Sequence, residues 1–300
     1  MKKKIVIAGG TGFIGQYLEK KFVDLGYKVK IISRQPHHIS WSNQAGIIEA
    51  LDQAEMVINL AGKSVNCRYT DKNKKEIFQS RTETTKILGI ALLACKNPPP
   101  LWINSSTATI YRHAEDRPMT EASGEIGSGF SVDVAKVWEQ SIFDFNLPQT
   151  RQVALRIAIV LGTDGGAMEP YINLVRFGLG GFQGSGKQMF SWIHIEDLYQ
   201  IILFLQDNKN LSGVFNCSAP LPITNREFMD TLRNTMNRKF GLPSPKWMLE
   251  FGAVFMRTET ELILKSRWVL PERLEKEGFH FTFDSIGKAL QQITGNPSRI

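Results

Sequence analysis

The chain opens on an unbroken apolar run, Ile5-Val6-Ile7-Ala8, that follows three lysines and stops at Gly9-Gly10. A run without polar alternation suits a parallel strand buried on both faces. The pattern predicts a strand over 4–8, then a helix over 13–25 that stops at Gly26. A strand over 28–32, a helix over 45–54 and a strand over 56–60 follow. A long helical pattern over 71–95 is ended by Pro98-Pro99-Pro100. Next come a strand over 101–105, a helix over 134–145 and a strand over 153–160. Strand and helix alternating in this way imply an α/β fold, a doubly wound parallel sheet with right-handed crossovers.

Beyond Gly162 the pattern changes. Residues 178–187 are glycine-rich, 194–205 read as a helix, and 214–217 as a strand returning to the sheet. From Leu221 onward the chain is mostly helical, with breaks around 243–245 and at Pro271. The expected division is a nucleotide-binding domain over 1–163, to which 192–217 return. A smaller, mostly helical C-terminal substrate domain would take 164–191 and 218–300.

The 300 residues hold 36 Lys and Arg against 29 Asp and Glu, a formal net charge of +7. The basic residues are scattered, apart from Lys2-Lys3-Lys4. With no nucleic-acid-binding motif, the surplus is assigned to a solvated terminus and an anionic small molecule, not to RNA, DNA or a membrane. Cys67, Cys95 and Cys217 stand at neither metal nor redox spacing and fit reduced thiols. His37-His38 has no further ligand set, so no metal is expected. No apolar run approaches the roughly 20 residues of a membrane span. A cytoplasmic protein is expected.

Gly9-Gly10-Thr11-Gly12-Phe13-Ile14-Gly15 joins the first expected strand to the first expected helix. It satisfies Gly10-x-Gly12-x-x-Gly15 and also Gly9-x-x-Gly12-x-x-Gly15. One glycine permits a tight turn, one lets backbone approach a pyrophosphate, and one lets the helix pack close to the sheet. The helix N-terminus offers free N–H groups and the positive end of its dipole. The strand before and the helix after make this a Rossmann nucleotide fingerprint rather than a lone glycine triplet. Gly9, Thr11, Gly12, Phe13, Ile14 and Gly15 are therefore candidate cofactor-binding residues. The second strand ends in Ile32-Ser33-Arg34, where an NAD site carries Asp or Glu. Arg34 suits a 2′-phosphate, with Ser33 bonding beside it, so NADP(H) is expected over NAD(H). Leu60, Ala61 and Gly62 at one strand end, and Ser105 at the next, are placed to line the cofactor.

Together these residues resemble the extended branch of the short-chain dehydrogenase/reductase superfamily, in its NAD(P)-dependent nucleotide-sugar epimerase and dehydratase group, over nearly the whole chain. Residues 104–111 are similar to that group's hydroxyl-bearing active-site strand. Residues 184–198, centred on Ser191-Trp192-Ile193-His194-Ile195-Glu196-Asp197, resemble its pattern in the second half, and Phe215-Asn216 fits the next. Residues 46–62, 74–85 and 261–274, the last followed by Gly278-Phe279, are similar to the "epimerase family protein" subgroup with a distinctive C-terminal extension.

In the superfamily a Ser or Thr orients the substrate oxygen, and a Tyr one helical turn from a Lys is the general acid/base. The resemblance puts Thr107 at the first position. Anchoring on Glu139 puts Ser131 at the Tyr position and Ala135 at the Lys position; a shift by one gives Phe130 or Val132 with Lys136. No Tyr-x-x-x-Lys occurs in this segment. The catalytic candidates are Thr107, Tyr111 and Ser131, with His113, Glu139 and Arg68 as other sources of acid/base chemistry. His194 fits a helix start, and Arg156 fits core-edge packing or a ligand role equally. The subgroup also tends to lack the dyad.

Two functions remain open at this point. One is an NADP(H)-binding oxidoreductase or epimerase acting on a small substrate, a nucleotide sugar being suggested by likeness of fold alone. The other is a catalytically silent NADP(H) sensor or scaffold. The resemblance also implies a homodimer, since related extended enzymes often pair through two helices.

Overall fold

A computed structural model describes residues 3–245 and 264–295. The helical reading over 246–263, residues 261–263 of the resemblance, Lys2 and residues 296–300 lie outside the described residues. The chain runs β1 (Lys4–Ala8), α1 (Phe13–Asp24), β2 (Lys28–Ile32), α2 (Gln44–Leu51), β3 (Met56–Asn59), α3 (Asp71–Ala94), β4 (Leu101–Thr107), α4 (Phe130–Phe143) and β5 (Arg151–Ile157). Then come β6 (Ile159–Leu161), α5 (Met168–Arg176), β7 (Met189–Phe190), β8 (Trp192–His194), α6 (Ile195–Asp207), β9 (Gly213–Cys217), β10 (Ile223–Thr224) and α7 (Asn225–Thr235). Near the end are α8 (Glu272–Lys276) and α9 (Ile286–Thr294).

Six strands form one parallel sheet in the order β2-β1-β3-β4-β5-β9. The chain leaves β1 toward one edge and returns for β3 on the other side, so the strand order reverses between β1 and β3, where α/β sheets bind ligands. The unbroken apolar strands follow from burial on both faces. Ile5 and Ile7 join Leu18, Phe22, Leu198 and Ile202, from α1 and α6, in one layer. Val6 and Ala8 face the other layer with Ile47, Leu51, Leu88 and Leu92, from α2 and α3. A third cluster joins α5, α7 and α9 through Val175, Phe228, Leu232 and Leu290. Cys67, Cys95 and Cys217 are free thiols. Among the described residues no helix is long and apolar enough to cross a membrane.

Two expected elements are redrawn. The helix expected over 134–145 starts a turn earlier, because Gly129 adopts a φ of 99° and its carbonyl accepts from the N–H groups of Val132 and Asp133. The strand expected over 153–160 is two: β5 stays in the sheet, while β6 leaves it to pair with β8.

Residues 265–270 are stitched along both flanks. On one side Met119 N–H donates to Trp268 O at 2.7 Å and Leu270 N–H to Met119 O at 3.0 Å. On the other, Arg267 N–H donates to Met189 O at 2.9 Å, and Ser191 Oγ donates to Arg267 O while accepting from Val269 N–H.

His194 caps α6, its Nδ1 accepting from Glu196 N–H at 3.2 Å, and its Nε2 lies 3.0 Å from Gln292 Oε1 on α9. Burial holds the imidazole below its ordinary value, with the Gln292 bond and the Glu196 charge opposing only in part. A base depressed in the folded state contributes stability that is present above its unfolded value, about 6.5, and lost as pH falls through the folded one. Thermal stability is therefore expected to fall below about pH 6.5, by up to about 1.4 kcal/mol per pH unit for this one proton. His194→Asn retains a capping acceptor and should flatten the slope; melting curves of both proteins against pH check this, and an unchanged slope would assign it to other groups.

Candidate active site

The glycine loop is built by close approach. Gly9 has a φ of 76°, and a Cβ there would lie 2.6 Å from Ala61 N, so the ends of β1 and β3 touch. A Cβ on Gly15 would lie 2.5 Å from Gly10 Cα, which seats α1 directly on the loop. A Cβ on Gly12 would meet nothing nearer than Gly9 O at 4.0 Å, leaving an open cradle at the start of α1. Gly12 is the N-cap and supplies no side-chain bond, and the first turn carries no acid. The N–H groups of Phe13, Ile14 and Gly15 have no partner within the helix, which fits the phosphates of a dinucleotide. Thr11 is exposed in the loop, and the Phe13 ring lies against Gly162, Gly165 and Gly166.

At the end of β2, Arg34 is exposed and takes part in no ion pair among the described residues. Ser33 Oγ lies 2.9 Å from His38 Nδ1 and accepts from Gln35 N–H at 3.0 Å. Its hydroxyl thus already braces the turn that carries Arg34. Leu60 N–H donates to Ala8 O, and Ala61 N–H to Asn59 Oδ1. Ser105 Oγ donates to Asn59 O at 2.7 Å, tying β4 to β3. A Cβ on Gly62 would lie 3.1 Å from Arg81 Cζ, so the strand end runs directly into the next part of the site.

That part is a cavity of about 120 Å³. Thr107 and Thr109 reach it from the end of β4. From α4 it receives Ser131, Ala135 and Trp138, and from α3 Arg81; Tyr69 enters from the loop after β3. Ser131 and Ala135 share one helix face and stand at its wall, whereas Lys136, reached by shifting the register, is exposed. Thr107 Oγ1 accepts from Thr109 N–H at 3.1 Å, which leaves its own proton to donate.

Tyr111 is not brought to this cavity. Only 2% exposed, its hydroxyl accepts from Arg156 Nη1 at 2.7 Å and lies 2.9 Å from Asn216 Oδ1 and 3.1 Å from Thr120 O. Burial raises its pKa, with Arg156 pulling the other way. Glu139 faces the same network. Arg156 grips it in a two-pronged pair, Nε to Oε2 at 2.9 Å and Nη2 to Oε1 at 2.5 Å, and Ser106 Oγ donates to Oε2 at 3.0 Å. Burial works against the Arg156 cation, yet the Glu139 bonds and charge outweigh it and hold the cation firmly protonated. His113 is exposed, its Nδ1 accepting from Ser266 N–H at 3.1 Å, and Arg68 is exposed. None of these side chains lines the cavity.

Sequence reasoning passed over Tyr69 and Arg81. The signal was present for Arg81. Ile77, Thr85 and Leu88 are buried along one stripe of α3, and Arg81 falls between them at helical spacing. A cation on the buried stripe of a helix calls for a function or a partner. Tyr69 sits in an irregular loop, and no periodicity points to it.

The sequence matches the NAD dependent epimerase/dehydratase family over residues 5–142 and the Domain of unknown function (DUF1731) over residues 244–293. It is 33% identical over 297 residues to human "Epimerase family protein SDR39U1", covering 97% of this chain and 99% of that protein. "Epimerase family protein YfhF" of Bacillus subtilis (strain 168) is 32% identical over 298 residues, covering 96% of this chain and 97% of that protein. A crystal structure of the human epimerase family protein SDR39U1 (isoform2) with NADPH aligns with a TM-score of 0.90 at 32% identity, covering 98% of this chain and 99% of that one. With the glycine cradle, the six-stranded sheet and relatives alike from end to end, the chain belongs to the NAD dependent epimerase/dehydratase family, in the branch that carries a C-terminal DUF1731 domain.

Proposed function

We propose that the chain is an NADPH-dependent oxidoreductase or epimerase whose substrate places a carbonyl or hydroxyl group in the cavity beside Thr107. The observation that carries this reading is the continuity of cradle and cavity: Gly9 abuts Ala61, Gly62 abuts Arg81, and Arg81 lines the cavity. The residues present fit the cofactor. Gly12 to Gly15 would hold its pyrophosphate, Arg34 its 2′-phosphate, and Leu60 to Gly62 its flank. The NADPH bound to the human relative supports the choice. When bound, NADPH supplies a hydride. Thr107 Oγ donates to the substrate oxygen and orients it. A cavity of about 120 Å³ is smaller than the about 150 Å³ that holds a benzene. It receives the reacting end of a substrate, not a whole nucleotide sugar.

Fluorescence titration with NADPH and NADH at one salt concentration tests the reading. NADPH is expected to bind more tightly. Arg34→Ala should weaken NADPH by roughly 10- to 100-fold, the loss of charge-assisted bonds worth about 1.5–3 kcal/mol, and leave NADH nearly unchanged. Equal binding of both cofactors by the wild-type protein would overturn the role of Arg34. NADPH binding without oxidation by any small carbonyl compound would favour the silent sensor.

A further inference from the structure

The positions where Tyr and Lys are missing, Ser131 and Ala135, both stand at the cavity wall. Among the described side chains lining that cavity, Tyr69 and Arg81 are the titratable ones. The Tyr69 hydroxyl lies 3.4 Å from Ser131 Oγ, looser than a settled bond and close enough to tighten around a bound oxygen. Its ring is held edge-on against Phe130 at 5.0 Å, so the phenol reaches the Ser131 end of α4 from the neighbouring loop. Arg81 reaches the Ala135 end from α3, its Cζ 5.0 Å from the centre of the Trp138 ring. Nη1 donates to the carbonyls of Lys63 and Ile77, which fix the guanidinium in place. No carboxylate pairs with it among the described residues, and a negative charge on Tyr69 would favour its charged form.

We infer that Tyr69 and Arg81 together replace the absent Tyr-Lys pair, Tyr69 giving its proton to the substrate oxygen and Arg81 holding the phenolate left behind. The inference rests on the oxidoreductase reading above for the identity of the step. As the substrate carbon receives the hydride, the Tyr69 O–H bond breaks and an O–H bond forms on the substrate oxygen. The electron pair stays on Tyr69 Oη, where the Arg81 charge favours it, and water returns the proton. A buried cation without a carboxylate is costly in a resting protein. It is well matched to a site where negative charge appears during the reaction. Burial lowers the Arg81 pKa to about 10, which leaves it charged at neutral pH.

The test is a pH titration of phenolate absorbance, which requires neither cofactor nor substrate. In the wild-type protein one tyrosine is expected to ionise at least about one unit below the ordinary value of about 10. Tyr69→Phe, checked for folding by circular dichroism, should remove that transition. Arg81→Gln should move it up by about one unit or more, and Arg81→Lys should restore most of the shift. A Tyr69 that titrates at or above the ordinary value, or that ignores Arg81→Gln, overturns the inference. NADPH titration of the same wild-type protein separates the two readings. Failure to bind NADPH with a low-titrating Tyr69 sinks the cofactor assignment and leaves the pair; tight NADPH binding with an ordinary Tyr69 does the reverse.

Discussion

Gly15→Ala is expected to destabilise the protein by about 3 kcal/mol, the upper end for overpacking, and to weaken NADPH about 100-fold. The added methyl group would lie 2.5 Å from Gly10 Cα and O and 2.6 Å from its carbonyl carbon. These are backbone atoms of a tight loop and cannot swing aside, so α1 must lift. The better helix propensity of alanine returns at most about 1 kcal/mol. Lifting α1 would carry its N–H groups away from the phosphates proposed to bind there, and losing two bonds to a charged group would account for the drop in affinity. Gly12→Ala separates the two effects. Its methyl group enters open space, so stability should change by about 1 kcal/mol or less, yet it would fill the place proposed for the pyrophosphate. Denaturant midpoints and NADPH titrations of both variants check this. A Gly15→Ala protein with wild-type midpoint and affinity would contradict the close seating of helix on loop.

Arg156→Met is expected to cost about 3–5 kcal/mol, the penalty for leaving one member of a buried ion pair behind. Glu139, at 9% exposure, would keep Ser106 Oγ as its hydrogen-bond donor, and the Tyr111 hydroxyl would lose the guanidinium as well. Replacing both members, as Arg156→Met with Glu139→Leu, should recover much of the loss, because neither charge is then stranded. Urea unfolding at constant slope measures each. A single variant as stable as the parent would show that the pair adds nothing.

The parallel sheet was legible because its strands are buried on both faces and therefore read as unbroken apolar runs; Ile5 to Ala8 is the clearest case. The resemblance drawn from residues 104–111, 184–198 and the C-terminal extension agrees with the family the comparisons show. The periodicity alone starts α4 late, since Gly129 turns the chain before it, whereas the resemblance already puts Ser131 on that helix. Tyr111 drew attention as a tyrosine near the active-site strand. Its neighbour in space, Arg156, comes from the next strand, and only the parallel register brings the two together. For the same reason Tyr69 and Arg81 escaped notice: they meet Ser131 and Ala135 across three separate elements, and sequence spacing carries no trace of that meeting.

The stitching of residues 265–270 sets a timetable for a newborn chain. Ser266 Oγ donates to Ala114 O across 152 residues. At a synthesis rate of about 5–20 residues per second, roughly eight to thirty seconds separate the loop after β4 from the segment that binds it. During that wait Ala114 and Met119 are without the backbone partners that they find in the folded chain. A chain released before this segment is made also lacks Leu274 and Phe279, which pack in the same layer as Ile5, Ile7 and Leu18. Early release would leave unfinished both the sheet's own core and the loop after β4.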